Sequence, residues 1–206
     1  MKSKEGAIIV LTGPSGAGKT TLCEALFKAF PHLRFSVSCT TRPPREDEMD
    51  GIHYQFWSKE QFQEGIARGD FVEYAEVHGN FYGTLRAELQ IGIDMGWLTL
   101  LDIDVQGQMN IKKLYGDYVL SIFVTTPSYK DLENRLLARG TEGTNNLQER
   151  LQSAASEMKH IPSFDYLIIN DDKKRAENEI VSIVHAFLCT IPRYDVQKLI
   201  DNWAQS

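Results

Sequence analysis

The most regular feature of this sequence is a series of short apolar runs, each of strand length. They occupy residues 7–11, 35–38, 97–103, 118–124 and 166–169. Most of them are followed by apolar residues at helical spacing, and strands that alternate with helices form a parallel sheet covered on both faces. The pattern therefore predicts an α/β fold in which helices flank a parallel sheet.

The pattern changes between Thr40 and Gly83, where short aromatic runs bounded by turn residues surround one helical segment near Lys59–Arg68. Runs of this kind are typical of short strands. This stretch is expected to form an inserted, mostly β subdomain.

A helical region is predicted later in the chain. Ser128 followed by Asp131 forms a capping-box-like start for a helix that runs to about Arg139. The next residues, 140–146, are polar and helix-breaking, so we expect them to form the mobile tip of a helical lid. We therefore expect one domain over 1–206, divided into a core (5–39, 85–128 and 160–206), an insertion (40–84) and a lid region (129–159).

Charge and cysteine content limit which binding partners and which cellular compartment are expected for the protein. The 206 residues include 22 basic and 28 acidic ones, giving a formal net charge of -6 without any dense Lys/Arg block, which argues against a nucleic-acid polymer as partner. The three cysteines, Cys23, Cys39 and Cys189, form neither a disulfide framework nor a C-x-x-C site, so a reducing cytoplasm is the expected location. No apolar run approaches the roughly 18 residues of a membrane span, and no feature indicates an obligatory protein partner.

The stretch GPSGAGKT, directly after the first apolar run, matches the phosphate-loop pattern G-x-x-x-x-G-K-[ST]. Its glycines let the backbone curl so that N–H groups face inward, and the positive end of the following helix adds to this cradle. Lys19 can reach the β- and γ-phosphate oxygens, and the Thr20 hydroxyl is placed to ligate Mg²⁺. We expect a polyphosphate to be bound by the loop residues Gly13, Pro14, Ser15, Gly16, Ala17, Gly18, Lys19, Thr20 and Thr21.

A phosphate loop does not define the reaction, because GTPases, ATPase motors and small-molecule kinases all use it. A GTPase is disfavoured, since the chain has no N-K-x-D guanine-reading motif. The segment SCTTRPPRED offers hydroxyls beside Arg42 and Arg45, and guanidinium forks match phosphate bidentately. This segment is either a clamp for a second small anion or a solvated loop whose arginines pair with Glu46, Asp47 and Glu48.

The run WLTLLDIDVQG ends a buried strand with Asp102 and Asp104. Both are expected beyond the carboxyl edge of the sheet, where ligands of doubly wound folds bind. Asp104 precedes a predicted helix, so it can alternatively serve as the N-cap of that helix, a role compatible with ligand binding.

Taken together, these motifs and their neighbours make the chain resemble the guanylate kinases. The resemblance is carried by GPSGAGKTTL, SVSCTTRPPREDEMDGIHYQF, FVEYAEVHGNFYGT, LLDIDVQG, NRLLARGTEG and DYLIINDD, in that order and spacing. It covers about residues 6–190, and the arginine and tyrosine stretches are more specific than the phosphate loop. The resemblance implies a P-loop NTPase-type α/β fold with an inserted nucleoside-monophosphate-binding subdomain and a helical lid.

The resemblance also implies a site for GMP. Guanine is assigned to Glu73 and Thr84, and this agrees with its chemistry, because guanine presents N1–H and N2–H₂ donors beside the O6 acceptor. Adenine has no N1–H to give to that carboxylate. Asp104 is expected near the same site, and the GMP phosphate is assigned to Ser38, Arg42, Arg45, Tyr54 and Tyr82.

On the ATP side, the family places arginines of the lid on the phosphates and on the adenine face. These correspond to Arg135, Arg139 and Arg150, which in isolation would be ordinary surface charges. Asn170 is placed at adenine, and Asp102 resembles a Walker-B acid that holds Mg²⁺ through water. The residues implied in catalysis are Lys19, Arg42, Arg135 and Arg150.

The expected reaction is transfer of the γ-phosphoryl group of ATP to GMP, and also to dGMP, giving ADP and GDP. The attacking phosphate oxygen is already anionic, so no general base is required. Two other functions stay open from the sequence: a catalytically inactive guanylate-kinase-like scaffold, and a kinase for another small phosphate acceptor. Beyond Ile191 we expect a closing helix with Leu199 and Trp203 packed on the body of the protein.

Overall fold

The computed structural model describes residues 6–77, 79–138 and 144–205. The strands are β1 (Ala7–Thr12), β2 (Leu33–Phe35), β3 (Cys39–Thr40), β4 (Gln55–Phe56), β5 (Phe71–Val77), β6 (Asn80–Leu85), β7 (Leu98–Asp102), β8 (Val119–Thr125) and β9 (Tyr166–Ile169). The α-helices are α1 (Lys19–Ala29), α2 (Lys59–Arg68), α3 (Arg86–Asp94), α4 (Val105–Tyr115), α5 (Tyr129–Ala138), α6 (Thr144–Glu157), α7 (Lys173–Phe187) and α8 (Val196–Ala204).

The central sheet is parallel throughout its described strands and has the order β2-β7-β1-β8-β9. Strand β1 lies in the middle and is fully buried, because alternate side chains enter the two helical layers. Leu11 and Ile9 pack with residues of α1 and α7, whereas Ile8 and Val10 pack with residues of α3 and α4. The predicted α/β fold with a flanked parallel sheet is confirmed.

One predicted strand was placed too late in the sequence. The strand expected at residues 35–38 is found at Leu33–Phe35. Ser36 still donates its N–H to Leu100 O at 2.9 Å, but Val37 donates instead to a side chain of α3, so the chain leaves the sheet there. β2 is an edge strand with only Leu33 buried, so it lacks the continuous apolar run used to find buried strands.

A second sheet, with the order β4-β3-β6-β5, is built from the segment between β2 and α3. Its core is aromatic: the Phe62 ring stacks on Phe71 at 4.3 Å and on Phe81 at 5.3 Å between centroids. The predicted helix at Lys59–Arg68 is confirmed as α2, which begins with a capping box made by Ser58 and Gln61. The segment thus has its own small core, distinct from that of the central sheet.

Helices α5 and α6 pack on each other through Leu132, Leu136, Leu151 and Ala154. At the start of α5, the Asp131 N–H donates to Ser128 Oγ at 3.1 Å, as the capping pattern predicted. Residues 140–143 of the predicted lid tip lie outside the described residues. Residues 144–146, expected in the same loop, instead begin α6.

The C-terminal helix forms as predicted, but its predicted packing is wrong. Trp203 of α8 is 81% exposed and Leu199 is 49% exposed. The segment before α8 is held by Arg193, which is buried, donates to Gly6 O at 3.1 Å and lies over the Phe187 ring. The apolar residues of α8 suggested that this helix attaches the C-terminal segment to the rest of the protein. The residue that is buried there is instead the cationic Arg193.

Within the described parts of the chain, none of the helices combines the length and the apolar character needed to cross a bilayer.

Candidate active site

The phosphate loop connects β1 to α1 and depends on glycines in unusual backbone conformations. Gly13, Gly16 and Gly18 have φ angles of 146°, 90° and 97°, which L side chains rarely adopt. A Cβ atom on Gly13 would lie 2.0 Å from Val124 O, so the loop is pressed against β8. Ala17 N–H donates to Pro14 O at 3.1 Å and closes the turn.

Replacement of Gly13 by alanine should therefore destabilise the protein through both strain and collision. Gly69 has a φ of 75° but has nothing within 4 Å of its Cβ position, so Gly69→Ala isolates the strain. We expect Gly69→Ala to lower the free energy of unfolding by about 1–2 kcal/mol. Gly13→Ala should lower it by about 1–3 kcal/mol more, because a β8 carbonyl must move. Equal losses in urea denaturation of the two variants would show that the loop does not press on β8.

Lys19, the first residue of α1, folds back over the loop. Its Nζ donates to Gly13 O and lies 3.7 Å from Asp102 Oδ1 at the end of β7. Burial raises the pKa of Asp102, and the Lys19 charge opposes that rise. Thr20 follows Lys19 and is exposed at the start of the helix. The predicted phosphate and Mg²⁺ residues therefore lie at one edge of the central sheet.

Asn170 and Arg135 brace the loop from the other side. Asn170 is buried, and its Nδ2 donates to Ala17 O at 2.8 Å. Arg135 of α5 donates to Asn170 O at 2.6 Å and to Ala17 O at 3.4 Å. A Cβ on Gly18 would lie 2.2 Å from Asn170 Nδ2, so this contact also depends on glycine. Arg150 lies partly buried on α6, and Arg139 lies outside the described residues.

A second cationic group lies on the inserted sheet. Arg42 makes a bidentate pair with Glu48, with both N···O distances at 2.8 Å, and its guanidinium lies 5.4 Å from the Tyr54 ring centroid. Hydrogen bonds from Arg42 and then from the Arg45 N–H lower the pKa of Glu48 to about 2. The hydrogen bonding of its own guanidinium to Glu48 raises the pKa of Arg42, with a smaller contribution from the Tyr82 hydroxyl.

The contacts of Arg42 bear on the two alternatives predicted for this segment. Arg42 pairs with an acidic neighbour, as the solvated-loop alternative predicted. It also lies beside Tyr54 and Tyr82, whose ring centroids are 6.1 Å apart. Arg45 is exposed, and Ser38 lies at the entry to β3. A carboxylate held by both arms of the Arg42 fork occupies the position that suits a phosphate.

Glu73 and Thr84 face each other across β5 and β6. The buried Thr84 hydroxyl donates to Glu73 Oε1 at 2.6 Å. Burial is the main cause that raises the pKa of Glu73, and the nearby charge of Asp104 raises it further. Asp104 is the N-cap of α4, where its Oδ1 accepts from Gly107 N–H at 2.7 Å. The N-cap alternative for Asp104 is thus correct, and it leaves Asp104 close enough to act on Glu73.

Sequence reasoning missed one carboxylate near these groups. Glu157 of α6 accepts from Ser153 Oγ at 3.1 Å; burial raises its pKa, while the charge of Lys19 lowers it and that of Asp104 raises it. Glu157 and Asp104 line a cleft of about 300 Å³ between α4 and α6. Glu48, by contrast, was predicted as a possible partner of the arginines, and its pair with Arg42 is confirmed. Glu157 belongs to no motif quoted from the sequence, so only the folded structure reveals it.

The parallel sheet, the phosphate loop and the second cationic pocket define the class of the protein as a P-loop nucleotide-binding protein. A family model described as guanylate kinase matches residues 5–187. The chain is 47% identical to a guanylate kinase of Wolinella succinogenes, over 98% of this chain and 94% of that one. It is 44% identical to a guanylate kinase of Helicobacter hepaticus, over 97% and 99% of the two chains.

Solved structures agree with the sequence comparisons. The crystal structure of guanylate kinase from Anaplasma phagocytophilum matches with a TM-score of 0.75 and 32% identity, covering 98% of this chain and 96% of that one. The chain belongs to the guanylate kinase family, a family of ATP:GMP phosphotransferases. The resemblance noted in the sequence is confirmed, and an inactive scaffold is not favoured.

Proposed function

We propose that this protein transfers the γ-phosphoryl group of ATP to GMP, and also to dGMP, by holding the two nucleotides in adjoining pockets. The observation that carries this proposal is the pair Glu73 and Thr84, which presents a carboxylate and a hydroxyl 2.6 Å apart. A carboxylate accepts hydrogen bonds from guanine N1–H and N2–H₂. These donors would replace the Thr84 hydroxyl at Glu73, which frees that hydroxyl to donate to O6. Adenine has no N1–H to give to the carboxylate, so the pair supports guanine as the base.

In this proposal the GMP phosphate is held by Ser38, Arg42, Arg45, Tyr54 and Tyr82. The pairing of Arg42 with Glu48 supports the idea, because that guanidinium already binds a planar anionic group through both of its arms. The phosphate would take over the Arg42 fork from Glu48 on binding. A phenol then completes the shell without adding charge.

The ATP phosphates are assigned to the phosphate loop and to Lys19, with Arg135, Arg139 and Arg150 of the lid region around the transferring group. Arg135 already donates to the backbone of Asn170 and Ala17, which supports a position beside the nucleotide. Since the GMP phosphate is an anionic nucleophile, these cations have two tasks. They align the two polyanions and absorb charge as the phosphoryl group moves. Asn170 is assigned to the adenine end.

Mg²⁺ fits the residues available. The exposed Thr20 is the second residue of α1, and Asp102 ends β7. Burial raises the pKa of Asp102, a cost that a nearby cation would offset. Within residues 6–77, 79–138 and 144–205 no cluster of three or more His, Cys, Asp or Glu side chains could enclose a metal. This suits Mg²⁺, which commonly takes most of its ligands from water and substrate phosphates. When bound, Mg²⁺ would neutralise charge on the ATP phosphates, with Thr20 as a ligand and Asp102 holding its water.

Closure is part of the proposal. Water must be excluded during transfer, since otherwise ATP would be hydrolysed. We assign the insertion 40–84 to GMP binding and the region 129–159 to the lid, each moving over the phosphate loop. The separate cores of these two parts support movement as units. The free thiols of Cys23, Cys39 and Cys189 support a reducing compartment, and we assign the protein to the cytoplasm.

A panel of acceptors tests the proposed function. With Mg-ATP, the rate of ADP formation is expected to be high with GMP and measurable with dGMP. With AMP, UMP or TMP, kcat/KM should be at least about 100-fold lower, because none of these bases presents the adjacent N1–H and N2–H₂ donors of guanine to the buried carboxylate. Equal use of AMP or UMP would contradict the role of Glu73 and Thr84. ADP formation that is independent of any acceptor would contradict phosphoryl transfer itself.

A further inference from the structure

Glu88 is a partly buried carboxylate that the mechanism above does not use. It lies in the first turn of α3, directly after the chain returns from the insertion to the core. Its Oε1 accepts the Val37 N–H at 2.8 Å. Val37 belongs to the segment by which the chain first leaves the core for the insertion, between β2 and β3. Glu88 therefore joins the two connections between these parts of the protein.

The second oxygen of Glu88 reaches the insertion itself. Gln55 Nε2 donates to Glu88 Oε2 at 3.4 Å, and Gln55 Oε1 accepts from Cys39 Sγ at 3.7 Å. The Gln55 N–H donates to Ser38 O at 2.9 Å. Carboxylate, amide and thiol thus form one chain of hydrogen bonds around the backbone of Ser38.

The residues of this network are direct chain neighbours of two residues assigned to the GMP phosphate. Ser38 is flanked on both sides by residues of the network, Val37 and Cys39, and Tyr54 immediately precedes Gln55. Burial raises the pKa of Glu88, and the bonds from Val37 and Gln55 oppose that rise. Partial burial of a carboxylate costs free energy, and its hydrogen bonds to Val37 and Gln55 offset that cost.

We propose that Glu88 is a positioning residue for GMP binding, which holds Val37 and Gln55 so that Ser38 and Tyr54 stay at the phosphate end of the pocket. The inference rests on the proposed function and adds a residue to it. Groups that bind a ligand must be held within a fraction of an ångström by the residues behind them. Loss of the Glu88 carboxylate should therefore weaken GMP binding and leave ATP binding unchanged.

An exchange of side chains tests this directly. Glu88→Gln places an amide N–H₂ against the Gln55 N–H₂, and Gln55→Glu places one carboxylate against another. The double variant Glu88→Gln/Gln55→Glu restores a donor–acceptor pair at every link, because the new glutamine can accept from Val37 and donate to the new glutamate. Asp94→Asn, which removes an exposed carboxylate from the same helix, is the matched control.

Each single exchange is expected to raise KM for GMP about tenfold, the value of one hydrogen bond to a charged group. KM for ATP should stay unchanged, and the double variant should recover most of the loss. An unchanged KM for GMP in both single variants would overturn the inference. So would a parallel rise of both KM values with a fall in melting temperature, or a double variant no better than the single ones.

The wild-type protein separates this inference from the proposed function. Failure of the wild type to phosphorylate GMP would contradict the proposed function whatever the variants do. Suppose that the wild type uses GMP and that KM for GMP is unchanged in the Glu88→Gln and Gln55→Glu variants. This result would contradict only the role proposed for Glu88.

Discussion

Replacement of Lys19 by methionine is expected to lower kcat for GDP formation by about 10²–10³ while the fold is kept. Methionine keeps an unbranched side chain but removes the ammonium group. That group lies over the phosphate loop, bonded to Gly13 O and 3.7 Å from Asp102 Oδ1, where it can move onto the phosphates of ATP. Steady-state rates at saturating ATP and GMP measure the loss, and circular dichroism checks the fold.

Lys174→Met is the matched control for Lys19→Met. Lys174 lies on α7 with its side chain 79% exposed, and its Nζ pairs with Glu177 at 3.6 Å. This variant should keep kcat within about twofold of the wild type, as surface substitutions usually do. A Lys19→Met protein that is folded and fully active would contradict the assignment of Lys19 to the transferring phosphates.

Replacement of Glu73 by glutamine is expected to raise KM for GMP by about 10- to 150-fold, with little change in KM for ATP. Glutamine can still accept from Thr84 through its carbonyl oxygen. Its N–H₂ group, however, is a donor, so it cannot accept the hydrogen bonds that guanine N1–H and N2–H₂ would give to the carboxylate. Glu76→Gln on the same strand is the control, because Glu76 is exposed and should not affect GMP. Equal losses toward ATP and GMP would contradict the role given to Glu73.

The same substitution should stabilise the unliganded protein. Burial raises the pKa of Glu73 above its ordinary value, so the folded protein binds that proton more tightly than the unfolded chain does. Ionised Glu73 therefore destabilises the fold above this pKa. We expect Glu73→Gln to melt at a higher temperature than the wild type at slightly alkaline pH, with the difference shrinking as the pH falls through the pKa of Glu73. A lower melting temperature at alkaline pH would contradict the cause assigned to the shift.

Much of the fold could be predicted because its signals are local. The buried strand β1 and the glycine loop after it are continuous in sequence, and the loop pattern requires a strand before it and a helix after it. The capping box of α2 is likewise encoded by residues three positions apart. Features of this kind are fixed by neighbours along the chain, so the sequence alone predicts them.

The predictions from sequence were wrong where contacts between distant residues determine the structure. The edge strand β2 is exposed on part of its surface and has no apolar run, and its end is set by contacts of Ser36 and Val37 with distant residues. The apolar residues of α8 suggested burial, but Trp203 is 81% exposed. The sequence shows that one face of a helix is apolar, but it does not show whether another part of the protein covers that face.

The candidate site divides in the same way. The phosphate loop, the arginines and Glu73 could be named from sequence and family resemblance. The pairing of Arg42 with Glu48, the brace that Asn170 gives to Ala17, and the network of Glu88 depend on residues that meet only after folding. These partners tune and position the motif residues. The sequence indicated Glu48 only as one of three acidic neighbours of the arginines, and no pattern marks the contacts of Asn170 and Glu88.

The central claim is that the two pockets adjoin, so that a phosphoryl group passes directly between the nucleotides. The most direct test is a crystal structure with a bisubstrate analogue in which adenosine and guanosine are joined through a chain of phosphates. We predict the guanine edge within hydrogen-bond distance of Glu73 and Thr84, Arg42 released from Glu48 onto the guanosine-side phosphate, and Lys19 on the adenosine-side phosphates. Guanine bound away from Glu73, with Arg42 still paired to Glu48, would contradict the claim.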